Sequence, residues 1–186
     1  MELTVKDFEK VQVALSEAHL DYQLELVDGE IHVMGLSDVV SSYVIAQLAR
    51  LLGNWVVPRR LGFVLESSGG FILPNTNLRG PDVSFVSAVR LPQLPRSFAN
   101  IVPDLIVEVK SATDRLKPTR EKIQMFLSLG VQVGILVDPD RKLLEVYRQN
   151  QELLILNERD ILTIPELLEG WELAVSELWP PVFDRE

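Results

Sequence analysis

Pro103-Asp104-Leu105-Ile106-Val107-Glu108-Val109-Lys110 is the stretch on which the reading of this chain turns. Aliphatic and β-branched residues fill its centre, the composition of a strand buried on both faces. Two charges interrupt its C-terminal end, where a strand serving only the core stays apolar. Side chains alternate along a strand, so Glu108 and Lys110 are expected on one face, about 6–7 Å apart along the backbone. A carboxylate and an amine at a strand tip can form a catalytic pair if other elements bring partners.

On the C-terminal side, Ser111 to Asp114 reads as a polar turn. A helix is expected to begin between Asp114 and Pro118 and to end at Leu129-Gly130, burying Ile123, Phe126 and Leu127. Val133 to Val137 is a second apolar strand, which makes Leu105 to Val137 a right-handed parallel strand–helix–strand unit. Asp138 to Lys142 turns the chain into Leu143–Tyr147, and short strands are expected at Glu152–Leu156 and Ile161–Ile164. On the N-terminal side, Leu78 to Val86 reads as one strand with Asp82 near its start, and Arg90 to Asn100, with Pro92 and Pro95, as an exposed mobile loop.

Farther upstream, Leu24–Val27, Asp28-Gly29 and Glu30–Met34 carry the strongest short-range hairpin signal. Glu30 follows the turn, and its residue-level reading is a solvated strand end. Asp38 or Ser37 can cap a helix reaching Leu52 with Gly53 as its stop, and Thr4 with Asp7 starts a helix over Val5 to Leu15. Short strands at Gly62–Leu65 and Phe71–Leu73 complete a single α/β domain, bordering on α+β, spanning residues 1–186. Its core is expected at about residues 24–150. The tail from 165 to 186, with Trp171, Trp179 and Phe183, is expected to cover a sheet edge or to contact another subunit.

The hydrophobic fraction of 47% suits a globular chain, and no apolar run is long enough to span a bilayer. There are no cysteines, which excludes disulfides, thiolate metal sites and cysteine nucleophiles. With no apolar leader at the N-terminus, a cytoplasmic protein is expected. The net charge of −9 weighs against coating nucleic acid through a basic surface. It leaves room for a nuclease, whose acids become locally positive only with a metal ion bound.

Phosphodiester hydrolysis needs a divalent ion on oxygen ligands, a water to attack, and positive charge against the developing transition state. Asp82, Glu108 and Lys110 supply those residue types on consecutive predicted strands, and the Val109 carbonyl can add an oxygen ligand. Asp82 lies opposite Glu108 only if its strand pairs beside the focal one; otherwise the same residues form a structural ion pair. Asp104 shares the strand face of Glu108 but stands about 13 Å from it, too far to share an ion. Asp140-Arg141-Lys142 occupies a turn where charges are simply solvated. His19 and His32 have no metal-ligand spacing, and no phosphate loop, dinucleotide fingerprint or serine elbow is present.

Pro81-Asp82 followed by Glu108-Val109-Lys110 resembles the PD-(D/E)XK nuclease superfamily, and the chain is closer still to its Uma-type family of candidate restriction endonucleases. Four stretches carry the likeness: Glu25–Glu30, Arg79–Val83, Pro103–Ser111, and Leu129-Gly130-Val131 through Val137-Asp138-Pro139. The resemblance implies a restriction-endonuclease-like core, a central mixed sheet flanked by helices, with Mg²⁺ (or Mn²⁺ as a substitute) at its C-terminal edge. It implies Asp82 and Glu108 as metal ligands, Lys110 acting on the attacking water, and Glu30 as an extra acid near the ion. The expected substrate is duplex DNA, and a homodimer is expected because cutting both strands suits a two-fold axis, with only the apolar tail in support. Gln124 falls where the superfamily often turns a polar residue to the site, although an exposed helix position is the better account of it. Phe126 stands where the family often has tyrosine, and Val133-Gly134 replaces an aromatic-rich strand start. A catalytically silent binding or dimerisation module on the same fold is the alternative function.

Overall fold

Thr4 starts helix α1 (Val5–Glu17) through a capping box, its hydroxyl accepting from the Asp7 N–H while the Asp7 carboxylate takes the Thr4 N–H. A computed structural model describes residues 2–183. Strands β1 (Gln23–Val27) and β2 (Glu30–Met34) form the expected hairpin. Its turn residues Asp28 and Gly29 have φ of 49° and 77°, the left-handed pair that a tight hairpin turn requires. Asp38 caps α2 (Val39–Val56) by accepting from the Ser41 N–H. This helix passes through Gly53 instead of stopping there, because Val56 is fully buried in the main core and Trp55 packs against the same cluster. Burial there outweighs the small helix cost of one glycine.

Next come β3 (Gly62–Glu66), β4 (Phe71–Ile72), β5 (Leu78–Arg79) and β6 (Val83–Ser87). The single strand expected over Leu78 to Val86 is thus two strands in different sheets, parted at Gly80-Pro81-Asp82. The chain continues through β7 (Leu105–Val109), α3 (Leu116–Ser128), β8 (Val133–Asp138), β9 (Leu143–Arg148) and β10 (Leu154–Asn157). It closes with a small hairpin of β11 (Ile161–Thr163) and β12 (Glu172–Ala174) and a 3₁₀ turn over Val175–Leu178.

The focal strand, β7, is central in a six-stranded sheet of order β10-β9-β8-β7-β6-β3. Only β7 and β8 run parallel, joined by α3, so the sheet is mixed as expected. A second sheet of order β2-β1-β5-β4 lies beside it. Alternation on β7 sorts the two faces: Leu105, Val107 and Val109 pack with Val44, Leu48 and Leu52 of α2, whereas Ile106 packs with Ile123 and Phe126 of α3. Gly134 lets α3 approach closely, since a Cβ there would stand 2.6 Å from the Ile123 methyl. Trp171, Leu173, Leu178 and Trp179 of the tail are buried in the main core. Val182 and Phe183 are exposed, and residues 184–186 lie outside the described residues.

Candidate active site

Val83 pairs with Val107 across β6 and β7, and one further step of that antiparallel register sets Asp82 opposite Glu108. Directly opposed residues of an antiparallel pair share a face. Both carboxylates therefore sit on the α3 side, at the tips of neighbouring strands. The Val109 N–H, which would otherwise bond to β6, donates to Asp82 Oδ2 at 2.7 Å and holds that carboxylate at the strand end.

A lysine from α3 meets this pair. Lys122, one residue before Ile123 of the buried helix face, puts its Nζ 2.9 Å from Glu108 Oε1. The same amine lies 3.3 Å from Glu25 Oε1 and 3.3 Å from the Gly80 carbonyl. Glu25, on β1, is itself held by Arg79 Nε at 2.8 Å and by the Gly80 N–H at 2.9 Å. One network thus ties the hairpin, the β5–β6 break, β7 and α3 together around Glu108.

The electrostatics follow from burial. Glu108 is 6% exposed, and burial pushes its carboxyl up to about 8, an effect that Lys122 only partly offsets. Asp82 is raised as well, by burial first, against the Val109 N–H that favours its charged form. Burial opposes the charge on Lys122, but Glu108 and Glu25 outweigh it and hold the amine protonated. The approach of Lys122 to Glu108 Oε1 lacks hydrogen-bond alignment, so this oxygen is buried without an aligned donor.

The cleft over the pair has a volume of about 290 Å³, with Asp82, Glu108, Val109, Ser111, Thr119 and Lys122 in its walls. Among the described residues no cluster of three or more acids, histidines or cysteines is placed to share one ion. Two hard carboxylates, one of them with an under-satisfied buried oxygen, nevertheless fit Mg²⁺, which takes one or two carboxylates and leaves its other positions to water and phosphate.

The sequence profile of Uma2, a family described as “Putative restriction endonuclease”, matches residues 5–176. The chain belongs to the Uma2 family. A solved structure described as a “putative nuclease belonging to DUF820”, from Anabaena variabilis, superposes with a TM-score of 0.79 at 21% identity, covering 95% of this chain and 97% of that one. That likeness shows the shared fold. No curated protein matches the chain.

In this Uma2 chain the motif's own lysine lies elsewhere. Strand β7 ends at Val109, and the Lys110 amine turns to Asp140 at 2.7 Å and to the Ser111 carbonyl at 3.0 Å. Asp140 strengthens the Lys110 charge, opposite to what a proton-accepting amine needs. Glu30 opens β2 opposite Val27, is exposed, and is not among the residues lining the cleft; the acid of that hairpin joined to Glu108 through Lys122 is Glu25. Gln124 is exposed and borders a different cavity, near Tyr147 and Asn150. Asp104 is buried and structural, accepting from Arg90, Gln132 and the Ser87 N–H. Phe126 is fully buried and Gly134 sits beneath Ile123, so both departures from the family pattern serve helix–sheet packing.

Glu25 and Lys122 escaped the sequence reading. A signal existed for each: Glu25 is the one charged residue of β1, set between two leucines, and Lys122 adjoins the buried stripe of α3. Neither position could be tied to Glu108 before the helix was docked on the sheet.

Proposed function

We propose that this Uma2 protein is a Mg²⁺-dependent endonuclease that hydrolyses phosphodiester bonds of double-stranded DNA in the cytoplasm. The observation that carries the reading is the opposition of Asp82 and Glu108 at adjacent strand tips, under an open cleft, with a buried Glu108 oxygen lacking an aligned donor. Asp82 and Glu108 would hold the ion, with the Val109 carbonyl as a third oxygen. When bound, the ion would polarise the scissile phosphate and help ready the attacking water.

The residues of the chain do the rest. The Val109 N–H orients Asp82, and the Lys122 ammonium, in the wall of the cleft, keeps a positive charge close to the site whichever acceptor it bonds. Lys110, the water-directed residue of the motif, could act there only after leaving Asp140; in its observed position it ties the loop after β7 to the turn after β8. A two-fold homodimer would suit cutting both strands, and the exposed apolar residues Leu36, in the wall of the cleft, and Val39, at the start of α2, support such a contact. Light scattering tests it: a particle of one 21.0 kDa chain at all concentrations would remove the dimer from the proposal.

Supercoiled plasmid with Mg²⁺ is the direct test. Wild type is expected to nick it, and Glu108→Ala and Asp82→Ala to lose at least about a hundredfold in rate, the scale of removing a main transition-state interaction. Cleavage that survives both substitutions would place the activity elsewhere. Lys122→Ala is expected to cost more than Lys110→Ala. A silent binding module is the second reading, favoured by Lys122 already neutralising Glu108 without a metal ion. It predicts no nicking and no Mn²⁺ binding.

A further inference from the structure

Three acceptors surround the Lys122 amine, and they differ in how well they are satisfied without it. Glu25 has Arg79 on Oε2 and the Gly80 N–H on Oε1, so its charge is answered whether or not Lys122 is present. The Gly80 carbonyl is a neutral acceptor at 3.3 Å. Among the described residues Glu108 has no other cationic partner. The lysine side chain is 11% exposed and enters from α3, so its stem is confined while its terminal torsions can still redirect the amine.

An ammonium and a divalent cation cannot comfortably share one buried carboxylate oxygen, because their repulsion is weakly screened there. Lys122 need not return to water to avoid this conflict. The amine already donates to Glu25 Oε1 and to the Gly80 carbonyl, each at 3.3 Å.

We propose that Lys122 is a partner-exchanging counter-cation: it holds Glu108 in the metal-free site and passes to Glu25 and the Gly80 carbonyl when a divalent ion takes Glu108. Lys122 and Glu25 are then positioning residues that set metal affinity with opposite sign. Lys122 competes with the ion, and Glu25 lowers the cost of its withdrawal. This inference rests on the metal-site reading above, and its test uses metal binding alone, with no DNA.

The experiment is Mn²⁺ titration of the full chain, followed by electron paramagnetic resonance of the free ion. Lys122→Met is expected to tighten Mn²⁺ binding about tenfold and Glu25→Gln to weaken it about tenfold, each equal to about 1.4 kcal/mol. In the Lys122→Met background, Glu25→Gln should change affinity less than about threefold, because the group that Glu25 receives is gone. Effects that simply multiply in the double variant would reduce both residues to independent background charges and overturn the exchange. So would unchanged or weaker binding by Lys122→Met.

Two further measurements keep the outcomes distinct. If wild type binds no Mn²⁺, or binds it equally well after Asp82→Asn, the metal site itself is wrong and the exchange falls with it. If the Met variant does not fold, ¹⁵N spectra of lysine ammonium groups in the wild type decide. The signal that is missing from Lys122→Arg should move on saturation with Mg²⁺, and its failure to move would overturn the proposal.

Discussion

Glu108 is an acid held almost wholly out of water, and its proton affinity shows the consequence. Its carboxyl stands near 8 against an ordinary 4.5, so the folded protein binds that proton more tightly than the unfolded chain does. The stability linked to this proton is complete below about pH 4.5 and is lost as the pH rises to about 8. Metal-free melting temperature is therefore expected to fall across that window. Glu108→Gln, which keeps the shape and removes the charge, should flatten the fall and gain on the order of 1–3 kcal/mol at pH 8. Asp82→Asn should also raise the metal-free melting temperature, since the amide oxygen can still accept the Val109 N–H. Calorimetry from pH 5 to 8 checks both, and a clear drop in Asp82→Asn would mark the pair as a structural bridge instead.

At the scale of elements, the site depends on how α3 is seated. Its buried stripe packs on Ile106 and Leu136, and a polar clamp lies on the same side: Arg120 donates to buried Glu145 on β9, which also accepts from the Tyr147 hydroxyl. Burial, then the Glu145 carboxylate, pushes the Tyr147 hydroxyl up to about 12. Arg120→Ala would leave Glu145 buried without its cation, at a cost of about 2–4 kcal/mol in urea unfolding. Because Lys122 lies two residues farther along the helix, the same variant should weaken the registry of the Glu108 network. An Arg120→Ala loss below about 0.5 kcal/mol would show that apolar packing alone seats α3. Helix α2 is tied in differently, through Asp38, which accepts from the Ala112 N–H, and Ser41, whose hydroxyl donates to the Lys110 carbonyl. These contacts hold the loop that leaves β7.

At the scale of the whole molecule, a chain of net charge −9 has no general attraction for a polyanion. Stable association with DNA is therefore expected only with a divalent ion present. Gel-shift titration with Ca²⁺, which occupies oxygen sites and often supports binding without turnover, should bring affinity up by at least about tenfold over the chelated protein. Equal affinity in chelator would mean that a surface other than the cleft binds DNA. No helix among the described residues is long and apolar enough to cross a membrane.

Local pattern alone determined much of this protein: the Asp-Gly hairpin, the capped starts of α1 and α2, the β7–α3–β8 unit, and Asp82 and Glu108 as the acids to watch. These are legible because turn chemistry and the two-residue period of a strand are encoded within a few neighbouring positions. Tertiary structure decided what stands around them. It broke Leu78 to Val86 into strands of two sheets, carried α2 past Gly53, and drew the tail's tryptophans into the core. It turned Lys110 to Asp140, because the turn after β8 brings that carboxylate within 2.7 Å of the amine. It also brought Glu25 and Lys122 to Glu108 across separations of 83 and 14 residues (108 − 25 and 122 − 108), contacts that exist only after a hairpin and a helix pack against the sheet.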